Sequence, residues 1–353
     1  MRVTLLLAVL TSPLVAAQVP TLGNGQVDAR RGSIAAEVAA AASAATPTWL
    51  GWRVPLVAGD RDLCSTWTTD RERVRGYLLE SPTTNTARPR PTAPASGISL
   101  DAGTNLIVLV RVMDGRVERV RSIGDDCPID ASGQTLRWLT DVTPADSVAY
   151  LASLATDRQL GSPTPQNIHD AAISAIALHQ DAAADAALDA LVGPTQPTGI
   201  RTTAARWLAN ARGGHGFDTL SALIRNERDA RTRATFVGGL WRSTSPRAGA
   251  SLLALARTDA DPGVRGEAAA GYARLGDSSA VRTLLDLLST EADDKVKARI
   301  VASLDLVPGQ AGVPALLQLA QPASDATVRR EAVRALSRSS DPRATAYLEA
   351  LLK

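Results

Sequence analysis

Asp261-Pro262-Gly263-Val264-Arg265-Gly266-Glu267-Ala268-Ala269-Ala270-Gly271-Tyr272-Ala273-Arg274-Leu275 is the stretch whose reading decides the fold of this chain. Val264 to Leu275 reads as a helix, because Val264, Ala268, Ala269 and Tyr272 fall at spacings of 4, 1 and 3 and share one face. Gly276-Asp277 breaks it, and Ser279 to Leu288 reads as a second helix with Val281, Leu284 and Leu287 on its apolar side. Two helices this short cannot each bury such a stripe alone, so neighbouring pairs must stack.

Working outward, the pair recurs at a spacing of 32 residues from about Gln166 to Lys353. Ile168-His169, Ile200-Arg201, Thr232-Arg233, Val264-Arg265, Val296-Lys297 and Val328-Arg329 open successive units. Leu188, Leu220, Leu252, Leu284, Leu316 and Leu348 recur in the second helices, and Leu191, Leu223, Leu255, Leu287, Leu319 and Leu351 follow three residues later. In the first helices Tyr272 is matched by Ile176, Leu208, Leu240, Leu304 and Leu336. The pattern predicts an α-solenoid of six 32-residue helix pairs over 166–353.

Asp261-Pro262-Gly263-Val264-Arg265-Gly266-Glu267-Ala268 and Asp325-Ala326-Thr327-Val328-Arg329-Arg330-Glu331-Ala332 resemble the opening of HEAT-like repeats, in particular the short bacterial kind also found in phycobilisome lyases. The resemblance covers about 190 residues, carries the fold, and implies an interaction scaffold. It also implies that Asp229, Asp261, Asp293 and Asp325 cap the first helices and pair with the basic row Arg201, Arg233, Arg265, Lys297 and Arg329. The other reading of that row is a track for anions or nucleic acid, and the structural reading is preferred.

The surface expected to meet a partner is the concave one lined by the second helices. Among its residues Asp218, Thr219, Ser251, Arg282, Thr283, Asp286, Gln318 and Tyr347 flank the leucines, interspersed with alanines. That face reads as small, smooth and nearly uncharged, suited to a protein or peptide backbone and poor in the Lys and Arg that phosphate binding needs.

A net charge of +2, from 38 basic and 36 acidic residues in 353, gives no electrostatic reason to expect nucleic acid. Met1 to Ala17 has Arg2, the run Leu5-Leu6-Leu7-Ala8-Val9-Leu10 and Val15-Ala16-Ala17, and reads as a cleavable secretory signal rather than a buried helix. The mature chain is then expected to begin near Gln18, secreted or periplasmic. No later stretch is long and apolar enough to span a bilayer. In an oxidising compartment Cys64 and Cys127 are expected to form a disulfide rather than remain two buried thiols, stabilising the fold by roughly 4 kcal/mol.

Between these ends, 18–47 reads as a flexible segment with a short Ala-rich helix, and 48–142 as a small α+β domain. Its clearest element is a hairpin, Leu106 to Val112 and Val117 to Arg121 around Asp114-Gly115, with Val112 set opposite Val117, Arg111 opposite Glu118 and Leu109 opposite Val120. Its first strand is apolar on both faces and should be central. Arg75 to Leu79 reads as another strand, and Ser81 to Gly97 as an exposed proline-rich loop. Residues 143–165 read as a helix that caps the first repeat, then a linker. The outer side of the last unit, with Leu348 and Leu352, is a candidate dimer edge; the oligomeric state is left open.

For an enzyme, converging polar groups are needed and none is legible. His169, His179 and His215 fall at different places in their units, and the His-Glu dipeptide used by diiron hydroxylases of this repeat class does not occur. No Gly-x-Ser-x-Gly or phosphate-cradling glycine loop is present. Asp125, Asp126 and Asp130 could bind calcium, but a polar turn is the preferred reading. Trp207 and Trp241 read as packing residues. No cofactor or metal is expected. The chain reads as a non-enzymatic scaffold, with a lyase-type or cofactor-handling enzyme as the alternative.

Overall fold

A computed structural model of the chain describes residues 19–59, 61–67, 73–80, 103–160, 167–276, 278–322 and 325–351. The expected signal, the proline-rich loop 81–97, the linker 161–165, Asp60, Asp277, Leu352 and Lys353 lie outside them. The chain divides into two compact units, Met1–Tyr150 with Arg158–Ala171, and Leu151–Asp157 with Ala172–Lys353.

The first unit is built from β1 (Leu22–Gly23), β2 (Gln26–Arg30), α1 (Ile34–Ala42), β3 (Thr48–Pro55), β4 (Ser65–Trp67), β5 (Arg73–Arg75), β6 (Tyr77–Leu78), β7 (Asn105–Met113), β8 (Arg116–Gly124), β9 (Ile129–Asp130), β10 (Thr135–Leu139) and the start of α2 (Pro144–Thr156). Five strands form a mixed sheet in the order β2-β10-β3-β7-β8, with β2 and β3 both parallel to β10 and the rest antiparallel. A second sheet, β1-β9-β6, is parallel throughout, and β4 pairs with β5.

Trp49, Leu109, Leu136 and Trp138 of the large sheet share a core with Tyr77, Leu79, Ile129, Cys64 and Cys127. Gly51 makes this packing possible: a Cβ there would stand 2.8 Å from Leu109 Cδ2 and 3.1 Å from the Trp138 ring. Trp52 donates its indole N–H to Ser147 Oγ at 2.7 Å.

The β7–β8 hairpin turns at Asp114 and Gly115 with φ of +51° and +76°, both positive as an Asp-Gly loop of this type requires. Val112 pairs with Val117 as expected, but beyond it the register moves by one: Arg111 faces Arg119, Val110 faces Val120 and Leu109 faces Arg121. Glu118 is the extra residue of a β-bulge, and its carboxylate still accepts from Arg111. Strand β7 is internal and buried along both faces.

The stretch 18–47, read as a flexible segment with a short Ala-rich helix, contributes β2 at the sheet edge and, over the alanine-rich run, α1, whose Ser33 hydroxyl accepts from the Ala36 N–H at 3.2 Å and whose Ile34 and Ala41 are buried. Arg75 to Leu79 is not one strand, because the chain bends at Gly76, φ +129°. Thr143 Oγ1 caps α2 by accepting from Asp146 N–H at 3.1 Å, and the Asp146 carboxylate accepts from Thr143 in return.

The second unit is helical: α3 (Ile168–Leu178), α4 (Ala182–Leu191), α5 (Thr198–Ala211), α6 (Gly213–Asn226), α7 (Ala230–Val237), α8 (Ala248–Thr258), α9 (Pro262–Leu275), α10 (Ser279–Thr290), α11 (Asp294–Ser303), α12 (Val313–Leu319), α13 (Ala326–Leu336) and α14 (Pro342–Leu351). Short 3-10 turns at Leu240–Arg242, Leu304–Leu306 and Pro308–Gln310 follow α7 and α11. Leu188, Leu220, Leu252, Leu284 and Leu316 are fully buried.

Three residues on, only Leu191 and Leu287 are buried; Leu223, Leu255 and Leu319 are half-buried and Leu351 is exposed. Ile224, Ala256 and Ala320, four residues after the first leucine, are buried instead, and Val192 is buried beside Leu191, so the i, i+4 row is covered in these four units. Tyr272 is half-buried, unlike its counterparts Ile176, Leu208, Leu240, Leu304 and Leu336. Each second helix also opens on a small residue: Ala184, Gly216, Ala248, Ala280, Gly312 and Ala344. The reason is visible at Gly216 and Gly312, where a Cβ would stand 1.8 Å from Leu208 O and 2.0 Å from Leu304 O.

Candidate functional site

The paired charges at the helix starts have a repeating geometry. Asp229 accepts from the Thr232 N–H at 2.8 Å, Asp261 from Val264 at 3.1 Å, Asp293 from Val296 at 3.0 Å and Asp325 from Val328 at 3.2 Å, each satisfying a backbone donor that the helix leaves open. The Thr232 bonds hold Asp229 below the usual carboxylate range, and the Val328 and Thr327 N–H groups do the same for Asp325.

Arg201, Arg233 and Arg265, however, are ion-paired to acids other than these capping aspartates. Arg201 bonds Glu227 at 2.7 Å, Arg233 bonds Asp259 at 3.2 Å and Arg265 bonds Glu291 at 2.9 Å, in each case 26 residues on. Each of those acids also accepts the backbone N–H of the next capping aspartate, Asp229, Asp261 or Asp293. Arg233 and Arg265 further donate to Glu227 O and Asp259 O. Burial opposes ionisation of Glu227, but the bonds from Arg201 and the backbone win and lower its pKa; Arg265 lowers that of Glu291. Lys297 bonds Asp294 instead, and Arg329 donates to Pro322 O. Arg201, Arg233 and Arg265 therefore each tie the loop that enters their unit to the loop that leaves it.

The second helices carry an exposed strip. Ala186, Asp218, Ala250, Arg282, Pro314 and Ala346, each two residues before a ladder leucine, are exposed, as are Asp286 and Gln318 on its other side. Thr219, Ser251, Thr283 and Tyr347 are half-buried. The strip is more polar than expected: Asp218 pairs with Arg247 at 2.8 Å, Asp189 accepts from Thr219 at 3.3 Å and lies 3.1 Å from His215 Nε2, and Tyr347 donates to Ala320 O at 3.0 Å.

On the first helices, a cleft of about 520 Å³ lies between α5, α7 and α9, lined by Arg206, Arg231, Arg242, Thr202, Thr235 and Glu267 among others. The Trp241 ring lies under two guanidiniums, Arg242 at 4.2 Å and Arg274 at 5.4 Å from its centroid.

A family model described as HEAT repeats matches residues 217–305 and 281–353. HEAT repeats occupy this part of the array. The chain is similar to a solved structure of human deoxyhypusine hydroxylase in complex with glycerol, at 16% identity over 59% of this chain and 90% of that one, with a TM-score of 0.25. No curated protein matches the chain.

Around the HEAT repeats, the other candidates resolve into local structure. Cys64 and Cys127 form a disulfide, with Cα atoms 5.1 Å apart. Asp125 is held by Asn105 at 2.7 Å, Asp126 by Arg75, and Asp130 by the Ser132 N–H at 2.7 Å. Among the described residues no group of three or more His, Cys, Asp or Glu side chains could hold a metal. His179 is buried, its Nδ1 2.7 Å from Ala175 O, and burial pushes its pKa down to about 4. Arg212 closes the same corner, donating to His179 O at 2.6 Å and to Asp185 at 2.6 Å. No helix among the described residues is long and apolar enough to cross a membrane. Sequence reasoning missed Glu227, Asp259 and Glu291, although their 32-residue spacing was there to be seen, and it missed the arginine cleft, whose members share no register.

Proposed function

We propose that this chain is an exported, non-enzymatic scaffold that holds a protein or peptide along the second helices of its array, and that the array comprises six HEAT-like units of the short bacterial type over 166–353. HEAT repeats are in general protein-interaction scaffolds. The observation that carries the reading is the strip beside the ladder leucines, where the flanking residues of successive second helices reach solvent while Leu188, Leu220, Leu252, Leu284 and Leu316 are fully buried. A surface held rigid from beneath and presented in steps suits an extended partner. Bridging of both cysteines supports the scaffold over a lyase-type enzyme, since it leaves no thiol as nucleophile.

The test is site-specific photo-crosslinking in the native cell, with the probe placed at Ala254 or Gln318 on the second helices and at Arg330, exposed on a first helix outside the arginine cleft. The scaffold reading expects one discrete crosslinked protein from the second-helix positions and not from Arg330. Equal products from both, or none, would sink it. Mass spectrometry of the purified chain reads the export proposal separately: an amino terminus near Gln18 is expected, and an intact Met1 overturns it.

A further inference from the structure

The first helix of the third unit is interrupted where its neighbours are not. α5 and α9 each run unbroken for 14 residues, whereas α7 stops after 8 and passes through Gly238 and Gly239 into the 3-10 turn at Leu240–Arg242. The glycines let the walls close on the floor. A Cβ at Gly238 would stand 2.9 Å from Glu267 Oε1 of α9, and one at Gly239 3.1 Å from Phe236 O and 4.0 Å from Arg206 Cα of α5. The break thus makes the cleft and aims Arg242 into it.

Charge is gathered there out of proportion to the rest of the chain. Arg206, Arg231 and Arg242 line the cleft from three separate elements, and Arg274 shares the Trp241 ring with Arg242. The one carboxylate lining it, Glu267, is bonded to Arg299 at 2.7 Å. The clamp arginines Arg201, Arg233 and Arg265 each have a carboxylate of their own, but among the described residues none of these four is ion-paired. Burial, then the charges of Arg206 and Arg274, lower the pKa of Arg242, the direction expected of crowded cations that an anion would relieve.

We propose that this cleft binds an acidic peptide segment, its carboxylates taken by the guanidinium forks of Arg206, Arg231 and Arg242. Paired N–H donors match the two oxygens of a carboxylate, and the stacked Trp241 holds one fork in place. A nucleic acid needs a continued track of cations, and the track does not continue. The positions equivalent to Arg206 in the following units are Gly238, Ala270 and Ala302. The site lies on the first helices and takes from the scaffold proposal only that the ligand is a peptide.

The experiment uses the full mature chain and a fluorescein-labelled peptide of alternating Glu and Ser, read by anisotropy at low salt. R206E/R231E is expected to weaken binding at least roughly tenfold, with R330E, at an exposed position of α13 outside both sites, leaving it unchanged. R206Q/R231Q, which removes charge without reversing it, serves if the first variant melts early. A phosphoserine version that binds more tightly with the same sensitivity to R206E/R231E supports the site and identifies a phosphorylated acidic segment. Absence of saturable binding, equal loss in R330E, or stronger binding of an oligothymidylate of equal charge overturns the proposal. Because crosslinking at Ala254 and Gln318 is read independently, loss of this site leaves the second-helix scaffold standing, and the reverse.

Discussion

Within the N-terminal unit the Thr140 hydroxyl donates to Arg30 O across 110 residues, whereas in the array Arg265 reaches Glu291 only 26 residues on. The sheet of the first unit closes only when β2, near the start of the described residues, meets β10, and a disulfide 63 residues wide fastens its core. The array has no such closing step, since each clamp and each buried leucine concerns a unit and its neighbour. Damage should therefore abolish the first unit as a whole and the second by parts.

The largest effect that would test this contrast is removal of the disulfide. C64A/C127A should destabilise the N-terminal unit by about 4 kcal/mol, seen as an early melting step in near-ultraviolet circular dichroism, to which Trp49 and Trp138 of that core and the buried Trp52 contribute. The far-ultraviolet helical signal should persist to the original temperature. A single transition that moves as one would show that the two units do not respond independently.

Next comes Leu284→Ala against Leu255→Ala. Leu284 is fully buried and its truncation should cost about 3 kcal/mol; Leu255 is half-buried and should cost about half as much or less. The two residues are equally invariant in the sequence, so equal losses in urea unfolding would mean that the repeat pattern, not the burial, ranks them correctly.

Acid separates the units further. His179 is kept neutral by burial, its pKa pushed down to about 4. Below the unfolded value near 6.5 the unfolded chain takes up the proton first, so stability falls as pH drops from about 6.5 to 4, by up to about 3 kcal/mol. His179→Gln should flatten that limb of the pH profile of helix melting. A profile unchanged between wild type and variant over this window would remove His179 as its cause.

The array was legible in the sequence because its determinants are repeated: Leu188 and its five counterparts announce the register, and Asp229, Asp261, Asp293 and Asp325 announce the caps. What was not legible lay in pairings the repeat does not dictate. Arg265 had two acids within reach of the pattern, Asp261 and Glu291, and only the folding back of α10 on α9 brings the second alongside. In the N-terminal unit the Asp114-Gly115 turn fixed Val112 opposite Val117, but nothing local announces that Glu118 bulges. β2 is a short polar strand whose pairing with β10 depends on residues more than a hundred positions away. The arginine cleft was hidden for the opposite reason, since Arg206, Arg231 and Arg242 occupy three different places in their repeats and meet only because Gly238 and Gly239 break α7.

The smallest effect is the most specific to the array. Arg265 and Glu291 are joined by two bonds, 2.9 and 3.0 Å, and both side chains are mostly covered, yet the rim of the solenoid is wet and an ion pair there should contribute only about 1 kcal/mol. R265Q and E291Q should each lower the urea midpoint, and the double variant should lose less than the sum, with a coupling of about 1 kcal/mol. Acid should reproduce the loss. The Glu291 pKa is lowered by Arg265, so its stabilisation is present above the ordinary glutamate range and disappears as pH falls through that range to the folded value. The other acid at reach, Asp261, supplies the control. D261N keeps an N-cap while removing the charge, and its coupling to R265Q should be smaller, because the arginine bonds Glu291 and the Asp259 and Ala260 carbonyls rather than the cap. Stronger coupling to Asp261 than to Glu291 would confine the arginine to the start of α9 and leave the loops at the two ends of the unit untied.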